Sequence, residues 1–332
     1  MQSFLIKLFK FISIPLAFVL MCESFIWVFK NDIYAEKKID KIFTLTYANY
    51  EWLNKIPQKP TILFCGNSAV RHGLNCRLLN KLAKDSLSFI NIGYDARDPI
   101  ETYFMLKHFD LKNIKSIYFG VDPMEYTKGF YKNRSYYYYL DLNFSSCINY
   151  FRKDDNMVFF RRYKKLFEYF NPTTVNYEKS FEVPKELGST TIIAPPVDFN
   201  DLVFEKFQIE TYGWSELQFE YLHKISKLCR SKKIDFYALV MPRRSDFTSK
   251  YINDCKSIQN YFQNKIKNNF LPKHFVGKLN QVAYLEDDTK LYENNAHLNA
   301  EGQQKFTEQF YEMISNKTYY NYNDLWYLKP NN

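Results

Sequence analysis

An apolar stretch near the amino terminus constrains the fold of this chain more than any other feature. Residues 11–29 form nineteen consecutive positions with a single charged side chain, that of Glu23. A helix that crosses a membrane needs about 17–25 residues, so this stretch suffices for one crossing. A cleaved signal peptide would need small residues at its cleavage site, and Met21 and Cys22 do not provide one. We therefore expect an uncleaved anchor within residues 1–32, with a buried core helix as the alternative.

The charges that flank this stretch leave its orientation open. Lysines stand on both sides, at positions 7 and 10 before the stretch and at positions 30, 37, 38 and 41 after it. The positive-inside rule counts such residues, and here it favours neither side. Glu23 lies late in the stretch, where its carboxylate either reaches the headgroup region or faces a protein partner, because carboxylates inside a membrane do not normally face lipid.

After a polar connector at 33–60, short apolar runs alternate with helical patterns. The predicted buried strands are residues 61–65, 89–92, 116–119 and 234–240, and three of them end in turns that contain glycine. The predicted helices cover 74–84, 99–109 with Asp98 as the cap, and 217–228. Strands that alternate with helices predict a mostly parallel sheet with helices on both faces.

Ser68 and His297 stand at positions where such a fold places chemistry. Ser68 follows the first predicted strand in the sequence Gly66-Asn67-Ser68, and ligands of open α/β sheets bind outside the carboxyl ends of the strands. A serine in such a turn is more often structural, so it needs a partner. His297 is the candidate, on a loop just before a helix whose apolar side chains share one face, namely Phe306, Phe310, Met313 and Ile314. A lone histidine on a loop is usually an ordinary surface residue, so its pairing with Ser68 depends on the arrangement of the whole set of segments.

Taken together, these segments resemble the SGNH-hydrolase (GDSL-like) family over residues 61–123 and 214–315. The segments that carry the resemblance are GNSAVRHGLN, FINIGYDARDPIETYFMLK, IYFGVDP, LVMP and NNAHLNAEGQQKF. They look most like the membrane-anchored branch that assists acyl transfer onto extracytoplasmic polymers, which includes the D-alanyl transfer protein of teichoic acids and the alginate and peptidoglycan O-acetylation proteins. The resemblance implies an α/β three-layer sandwich with a mostly parallel sheet at residues 61–332, preceded by one transmembrane helix.

The resemblance also assigns roles to individual residues. Ser68 would be the nucleophile, His297 its general base, and the backbone N–H groups of Ser68 and Gly93 the oxyanion hole. The expected activity is that of an acyltransferase or esterase, which moves acetyl groups on a cell-surface glycan with the domain outside the cytoplasm.

Two positions depart from the family pattern. Asn294 stands where the family has an aspartate three residues before the histidine, and loss of that carboxylate costs about 10⁴ in kcat in a Ser-His-Asp triad. Carboxylates that could replace it are those of Glu293, Asp287 and Asp288. Asp122 stands near the family's third-block asparagine, and its negative charge would repel an oxyanion. The alternative function is therefore a non-catalytic accessory subunit of a membrane-bound O-acyltransferase system.

The segment 124–212 interrupts the alternation, and two interpretations of it remain open. It contains four tyrosines at 136–139, which either stack on sugar rings or form an aromatic strand. It also contains an amphipathic helix, whose aromatic face would rest on a membrane as part of a lid over Ser68, or would pack in an ordinary core. The apolar side chains are Phe159, Tyr163, Leu166, Phe167 and Phe170, and the basic ones are Arg161, Arg162, Lys164 and Lys165.

Other residue types point away from further functions. The six cysteines and five histidines are scattered without metal-ligand spacing, so we expect no metal and no cofactor. The net charge of +9 is spread without long basic runs, so we expect no nucleic acid partner. Arg71 and His72 are candidates to line the site, and Cys65 is interpreted as a small core residue. The expected partners are the membrane, a glycan or acyl-carrying substrate, and a membrane-bound O-acyltransferase.

Overall fold

The computed structural model describes residues 2–35, 59–84, 86–94, 97–128, 142–153, 157–170, 213–239, 288–294 and 297–317, together with positions 189, 241, 242, 244, 261, 264, 265, 275 and 276. The chain divides into two compact units. We call residues 1–51 and 134–181 the anchor unit, and residues 52–133 and 182–332 the sheet unit.

The sheet unit is an α/β fold built on a parallel sheet. The strands are β1 (Thr61–Cys65), β2 (Ser88–Asn91), β3 (Ile114–Gly120), β4 (Asp235–Leu239) and β5 (Phe275–Val276), and their order across the sheet is β2-β1-β3-β4-β5. Every pair of neighbours is parallel. The predicted parallel sheet is therefore confirmed, and the first four strands lie at the predicted positions to within a few residues.

The strand order reverses direction between β1 and β3. From β1 the chain moves to β2 on one side, and it then crosses back to β3 on the other side. In doubly wound sheets this reversal leaves a crevice outside the carboxyl ends of the two strands, because the connections leave them in opposite directions. The turn that follows β1 carries Ser68, so the topology places this residue at the crevice.

The helices of the sheet unit begin where side chains can cap free backbone N–H groups. They are α2 (Ser68–Gly73), α3 (Cys76–Leu82), α4 (Pro99–His108), α7 (Glu216–Ser231) and α8 (Ala300–Ser315). Asp98 caps α4 as predicted, because its Oδ1 accepts the Glu101 N–H at 2.8 Å. The sequence analysis predicted one helix at 74–84. The structure has α3 within that range and a second short helix, α2, before it, and each of the two begins at an asparagine cap. Helices this short show too few turns for their apolar pattern to mark where one ends and the next begins.

Helix α8 packs on the sheet through the face that its sequence pattern predicts. Phe306 and Phe310 are buried, and the Phe310 ring lies edge-on to Phe64 of β1 and to Tyr118 of β3, with centroid distances of 5.3 and 5.2 Å. Edge-to-face aromatic contacts of this kind add to the free energy gained from burial alone. Because α8 begins three residues after His297, this packing fixes the height of the histidine above the sheet.

The anchor unit contains α1 (Gln2–Ala35), α5 (Phe144–Lys153) and α6 (Val158–Phe170). Within α1, the segment Ile6–Phe29 is long and apolar enough to cross a membrane, and its buried residues are Cys22 and Ile26. A core helix of a soluble protein would be mostly buried, so this low burial favours the membrane interpretation over the alternative of a core helix.

Helix α6 packs against α1 in a way that the sequence analysis did not predict for Arg162. We expected this residue on an exposed basic face, but the side chain is 2% exposed and binds the Glu23 carboxylate. The expectation was wrong because a buried guanidinium is tolerated when a carboxylate satisfies its N–H groups. Lys164 is exposed, as predicted for the basic face.

Most of the segment 124–212 lies outside the described residues, including the tyrosines at 136–139, so its interpretation as a lid stays a prediction. Its two ends lie together within the sheet unit. Thr127 and Trp214 form an antiparallel bridge, the Lys128 N–H donates to the Gly213 carbonyl at 3.0 Å, and the Ser215 N–H donates to the Tyr126 carbonyl at 2.7 Å. Residues 126–128 and 213–215 are therefore held against each other by backbone hydrogen bonds.

Replacing Gly120 tests how closely α2 packs on the sheet. A methyl group at Gly120 would lie 2.2 Å from Cγ2 of Val70, which is fully buried in α2. We expect Gly120→Ala to lower the free energy of unfolding by about 1–3 kcal/mol, the usual cost of overpacking. Chemical denaturation of the full chain in detergent measures this. The double variant Gly120→Ala/Val70→Ala should lose less free energy of unfolding than the two single variants lose together, because the shortened side chain at position 70 makes room for the added methyl group. A loss equal to the sum would contradict the packing.

Candidate active site

Ser68 is positioned by the turn between β1 and α2. Gly66 has φ +138°, a conformation that favours glycine, and it turns the chain sharply after the strand. Asn67 then caps the helix, because its Oδ1 accepts the Ala69 N–H at 2.9 Å. Ser68 is the first residue of α2, and its side chain is partly exposed at the carboxyl edge of the sheet.

His297 is positioned by a closed loop in front of α8. Tyr292 and Leu298 form an antiparallel bridge, and the Glu293 N–H donates to the His297 carbonyl at 2.9 Å. Asn299 then begins the helix, since its Oδ1 accepts the Gly302 N–H at 3.0 Å. These bonds hold the backbone on both sides of the imidazole.

The structure brings the two predicted residues together. Nε2 of His297 lies 2.8 Å from Oγ of Ser68, although 229 positions separate them in the chain. This is the distance at which a histidine exchanges a proton with a serine hydroxyl, so the expected juxtaposition is confirmed. The roles of nucleophile and base stay predictions.

Asn294 contacts the other side of the same imidazole. Its Oδ1 accepts the backbone N–H of His297 at 2.9 Å, and its Nδ2 lies 2.9 Å from Nδ1 of the ring. A backbone N–H needs an acceptor, so the first bond fixes which end of the amide is oxygen. The nitrogen end, which can only donate, therefore faces Nδ1.

This orientation of the amide selects a tautomer of His297. An Nδ1 atom that accepts a hydrogen bond from Asn294 carries no proton, so the proton of a neutral imidazole stands on Nε2. Nε2 then donates to Oγ of Ser68 and has no free lone pair to take the serine proton. An aspartate at position 294 would accept a hydrogen bond from a protonated Nδ1 and would select the opposite tautomer.

Among the carboxylates that the sequence analysis proposed as substitutes, Glu293 lies beside the imidazole. Its Oε2 is 3.9 Å from Nδ1 of His297 and accepts a long hydrogen bond, 3.4 Å, from Nδ2 of Asn294. Both Glu293 and His297 are about one quarter exposed. Asp287 and the side chain of Asp288 lie outside the described residues, so their distance from His297 stays open.

The two predicted oxyanion donors differ in whether an acceptor already takes the backbone N–H group. Within the described part of the chain, no acceptor takes the Ser68 N–H, which is the first N–H of α2. The Gly93 N–H donates to Oδ1 of Asn91 at 2.8 Å. Gly93 does lie against the Ser68 turn, since a methyl group there would be 3.0 Å from the Arg71 nitrogen. An oxyanion at Gly93 would therefore have to compete with Asn91, and its role stays a prediction.

Asn91 is a residue of this site that the sequence analysis missed. It is buried, and its Nδ2 donates to the Val70 carbonyl at 2.8 Å while its Oδ1 accepts from Gly93. One amide thus joins α2 to the turn after β2. The available signal was an asparagine at the end of a strand that is otherwise apolar, because a buried amide needs partners for both its oxygen and its nitrogen.

Asp122 follows β3 in a buried position beside other acidic residues. Burial, followed by the negative charges of Glu125, Asp122 and Asp98, raises the pKa of Tyr126 well above its usual value. An oxyanion next to Asp122 would face this negative charge. The position does not supply the amide donor that the family pattern would place there.

Of the two residues that were predicted to line the site, His72 contacts His297 and Arg71 contacts Tyr94. The His72 ring meets the His297 ring edge-on at 5.3 Å, and the Arg71 guanidinium lies 5.2 Å from the centre of the Tyr94 ring.

Cys65 is fully buried, and burial raises the pKa of its thiol well above the usual value. A protonated, inaccessible thiol is a poor nucleophile, which agrees with its interpretation as a core residue.

Comparison with known proteins adds no relative, since no protein-family model and no curated protein matches the chain. Within the described residues, no group of three His, Cys, Asp or Glu side chains is arranged to hold a metal ion. The arrangement around Ser68 is therefore interpreted from its own geometry. It provides a hydroxyl, an imidazole in contact with it, and the first backbone N–H of a helix, which no acceptor among the described residues takes.

Exchange of one atom at position 294 tests the tautomer. Asn294→Asp keeps the oxygen that accepts the His297 backbone N–H and replaces the amide nitrogen with a second oxygen. We expect Asn294→Asp to raise the rate at which a fluorophosphonate labels Ser68 by up to about 10⁴, because Nε2 of His297 can then take the serine proton. Mass spectrometry of the labelled peptide measures it. Asn294→Ala is the matched control, since it removes the amide without adding charge.

If the Asn294→Asp variant is labelled at the same rate as the unmodified chain, the tautomer assignment is contradicted. The Glu293→Gln variant then shows whether Glu293 already orients His297, because in that case it is labelled more slowly than the unmodified chain. Ser68→Ala supplies the unlabelled background for every comparison.

Proposed function

We propose that this chain is a membrane-anchored serine acyltransferase or esterase that moves acetyl groups on a cell-surface glycan. Its domain would be an SGNH-like three-layer sandwich outside the cytoplasm. The observation that supports the proposal most is the 2.8 Å contact between Nε2 of His297 and Oγ of Ser68 at the carboxyl edge of a parallel sheet. The acetyl group and the glycan come from the family resemblance.

The proposed reaction has two half-reactions. Ser68 Oγ attacks the ester carbonyl while Nε2 of His297 takes the serine proton, and the carbonyl oxygen becomes an oxyanion that the Ser68 N–H stabilises. Collapse breaks the bond to the leaving alkoxide, which takes the proton from His297, and an acyl-serine remains. In the second half-reaction a sugar hydroxyl or water attacks the acyl-serine by the same proton transfers, which returns Ser68 to its starting state.

Glu293 is the carboxylate that this proposal needs. For His297 to act as a base, its proton must move from Nε2 to Nδ1, and the Asn294 amide must release Nδ1. Oε2 of Glu293, now 3.9 Å away, would then accept a hydrogen bond from the Nδ1–H group after a shift of about 1 Å to hydrogen-bond distance. Its negative charge stabilises the imidazolium that forms during each proton transfer.

Asn294 favours a second candidate, the accessory subunit of a membrane-bound O-acyltransferase system. In this alternative the triad has lost its acid, His297 keeps the unproductive tautomer, and the crevice at Ser68 binds the glycan without chemistry. The specific observation in its favour is the 2.9 Å contact between Nδ2 of Asn294 and Nδ1 of His297.

Hydrolysis of a small acetyl ester separates the two candidates. For an enzyme that uses Glu293, we expect Glu293→Gln to lower kcat by up to about 10⁴, because the imidazolium loses its charge partner. Glu301→Gln is the matched control, since Glu301 makes its ion pair with Lys305 on the surface of α8. Full-length protein in detergent is assayed, with Ser68→Ala as the blank.

Two outcomes of this assay are decisive. Activity of the unmodified chain that exceeds Ser68→Ala and depends on Glu293 supports the enzyme. Activity no higher than that of Ser68→Ala, together with unchanged glycan acetylation in cells that carry Ser68→Ala, overturns the enzyme proposal and leaves the accessory role.

Membrane topology is tested separately with a reporter cysteine placed after Asn332. We expect residues before the span to be cytoplasmic and residues after it extracytoplasmic, where surface glycans are accessible. An impermeant maleimide should then label the reporter in intact cells to the same extent as in lysed cells. Labelling that requires lysis would place the domain in the cytoplasm and would contradict the glycan substrate.

A further inference from the structure

Arg97 carries a fully buried guanidinium beside the turn that follows β2. Its Nη1 donates a hydrogen bond to the carbonyl oxygen of Ile92. Its Nε lies 3.5 Å from Oε1 of Glu101, and neither Nε nor Nη2 makes a hydrogen bond to a described residue. In the part of the chain that the structure describes, the Ile92 carbonyl is therefore the one hydrogen-bond acceptor of this guanidinium.

Stability of the fold does not account for this arginine. A buried guanidinium costs free energy unless acceptors satisfy its N–H groups. Arg162 is a satisfied case in the same chain, since its Nε and Nη2 bind both oxygens of Glu23 at 2.8 and 2.7 Å. Arg97 has only the longer ion pair with Glu101, and an apolar side chain of similar volume would suit its position at least as well. What distinguishes Arg97 is the group that it holds.

The group that Arg97 holds is the peptide between Ile92 and Gly93. The oxygen of this peptide accepts from Arg97, and its N–H, which belongs to Gly93, donates to Oδ1 of Asn91 at 2.8 Å. The peptide is trans, so its oxygen and its N–H point in opposite directions, and a group that fixes the oxygen also aims the N–H. Nδ2 of Asn91 donates to the Val70 carbonyl, so the N–H faces the side on which α2 lies.

A cation at the oxygen of this peptide affects the N–H in two ways. It resists rotation of the peptide plane, which glycine would otherwise permit and which would turn a carbonyl oxygen toward α2. A carbonyl oxygen in that direction would repel an oxyanion at Ser68. The cation also polarises the peptide, and hydrogen bonds that are linked through one group strengthen one another. The Gly93 N–H is therefore both aimed and made a stronger donor.

We propose that Arg97 is a positioning residue for the oxyanion hole. It holds and polarises the peptide between Ile92 and Gly93, so that the Gly93 N–H joins the Ser68 N–H in binding the substrate oxygen when that oxygen becomes negative. Asn91 accepts the Gly93 N–H in the present structure, and an oxyanion is the stronger acceptor because it carries a full charge. The inference rests on the proposed function and adds to it a second donor and the cation behind that donor.

Isotope labelling tests the contact without catalysis. The sequence contains a single Ile-Gly pair, Ile92-Gly93, so carbonyl-¹³C isoleucine with ¹⁵N glycine gives one signal in a carbonyl–amide correlation spectrum of the full chain in detergent. A carbonyl carbon resonates downfield when its oxygen accepts from a guanidinium. We expect Arg97→Met to move this carbon signal upfield, together with the Gly93 amide proton. Arg162→Met is the matched control, since it removes a buried guanidinium from the anchor unit and should leave the signal in place.

A signal that Arg97→Met does not move overturns the contact. If Arg97→Met does not fold, the unmodified chain decides the same question. Its Ile92 carbon should resonate downfield of the average for isoleucine carbonyls in folded proteins, and a position at or upfield of that average overturns the contact.

Kinetics test what the contact does. We expect Arg97→Met to lower kcat for a small acetyl ester by up to about 10²–10³, the usual cost of losing one oxyanion donor, and to leave KM unchanged. Rates are expressed per Ser68 site, counted from the end point of fluorophosphonate labelling, so that a loss of folded protein does not imitate a loss of rate. Arg162→Met should keep the kcat of the unmodified chain.

Two kinetic results would overturn the proposal. An unchanged kcat per site in Arg97→Met would show that the residue serves the fold alone, and a higher KM at constant kcat would show that it serves substrate binding. If the unmodified chain is no more active than Ser68→Ala, the proposed function fails, and the role of Arg97 in an oxyanion hole fails with it. The labelled peptide signal still decides in that case whether Arg97 holds Ile92, so the two failures are distinguishable.

Discussion

The parallel pairing of β1 with β3 is the constraint on which the candidate site depends. It sets Cys65 beside Phe119, so that the turn after β1 meets Gly120 at the same edge. Val70 of α2 can approach Gly120 closely because glycine has no side chain. Phe310 of α8 contacts both strands at once, through Phe64 and Tyr118. One strand pair thus positions the helix that begins with Ser68 and the helix that follows His297.

Within this frame, the chemistry depends on the difference between the two ends of one amide. An asparagine and an aspartate have nearly the same shape, and either can accept the backbone N–H of His297. They differ at the second atom, which donates in asparagine and accepts in aspartate. The same loop can therefore hold His297 in contact with Ser68 in either case, while the position of the imidazole proton changes. Geometry and reactivity are separable at this site.

Sequence patterns predicted the parts of the molecule that follow from local rules. The strands, the cap at Asp98 and the apolar face of α8 arise from periodicity and from hydrogen bonds between near neighbours. The meeting of Ser68 and His297 followed from a general property of parallel sheets. The Asn91 bridge to Gly93 and the orientation of the Asn294 amide were not predictable, because each depends on which single atom faces a backbone N–H. The sequence indicated that Glu23 could face a protein partner but not which one, since Arg162 lies in a helix with several basic side chains, 139 positions away.

That separation has a consequence for how the chain is made. Protein synthesis proceeds at roughly 5–20 residues per second, so Arg162 emerges about 7 to 28 seconds after Glu23. A span that enters the bilayer as it is synthesised would carry its carboxylate without this partner for the whole interval. During that time the carboxylate lies near the headgroups or is held by the insertion machinery. The depth at which α1 comes to rest would then be decided late, when α6 arrives with the guanidinium.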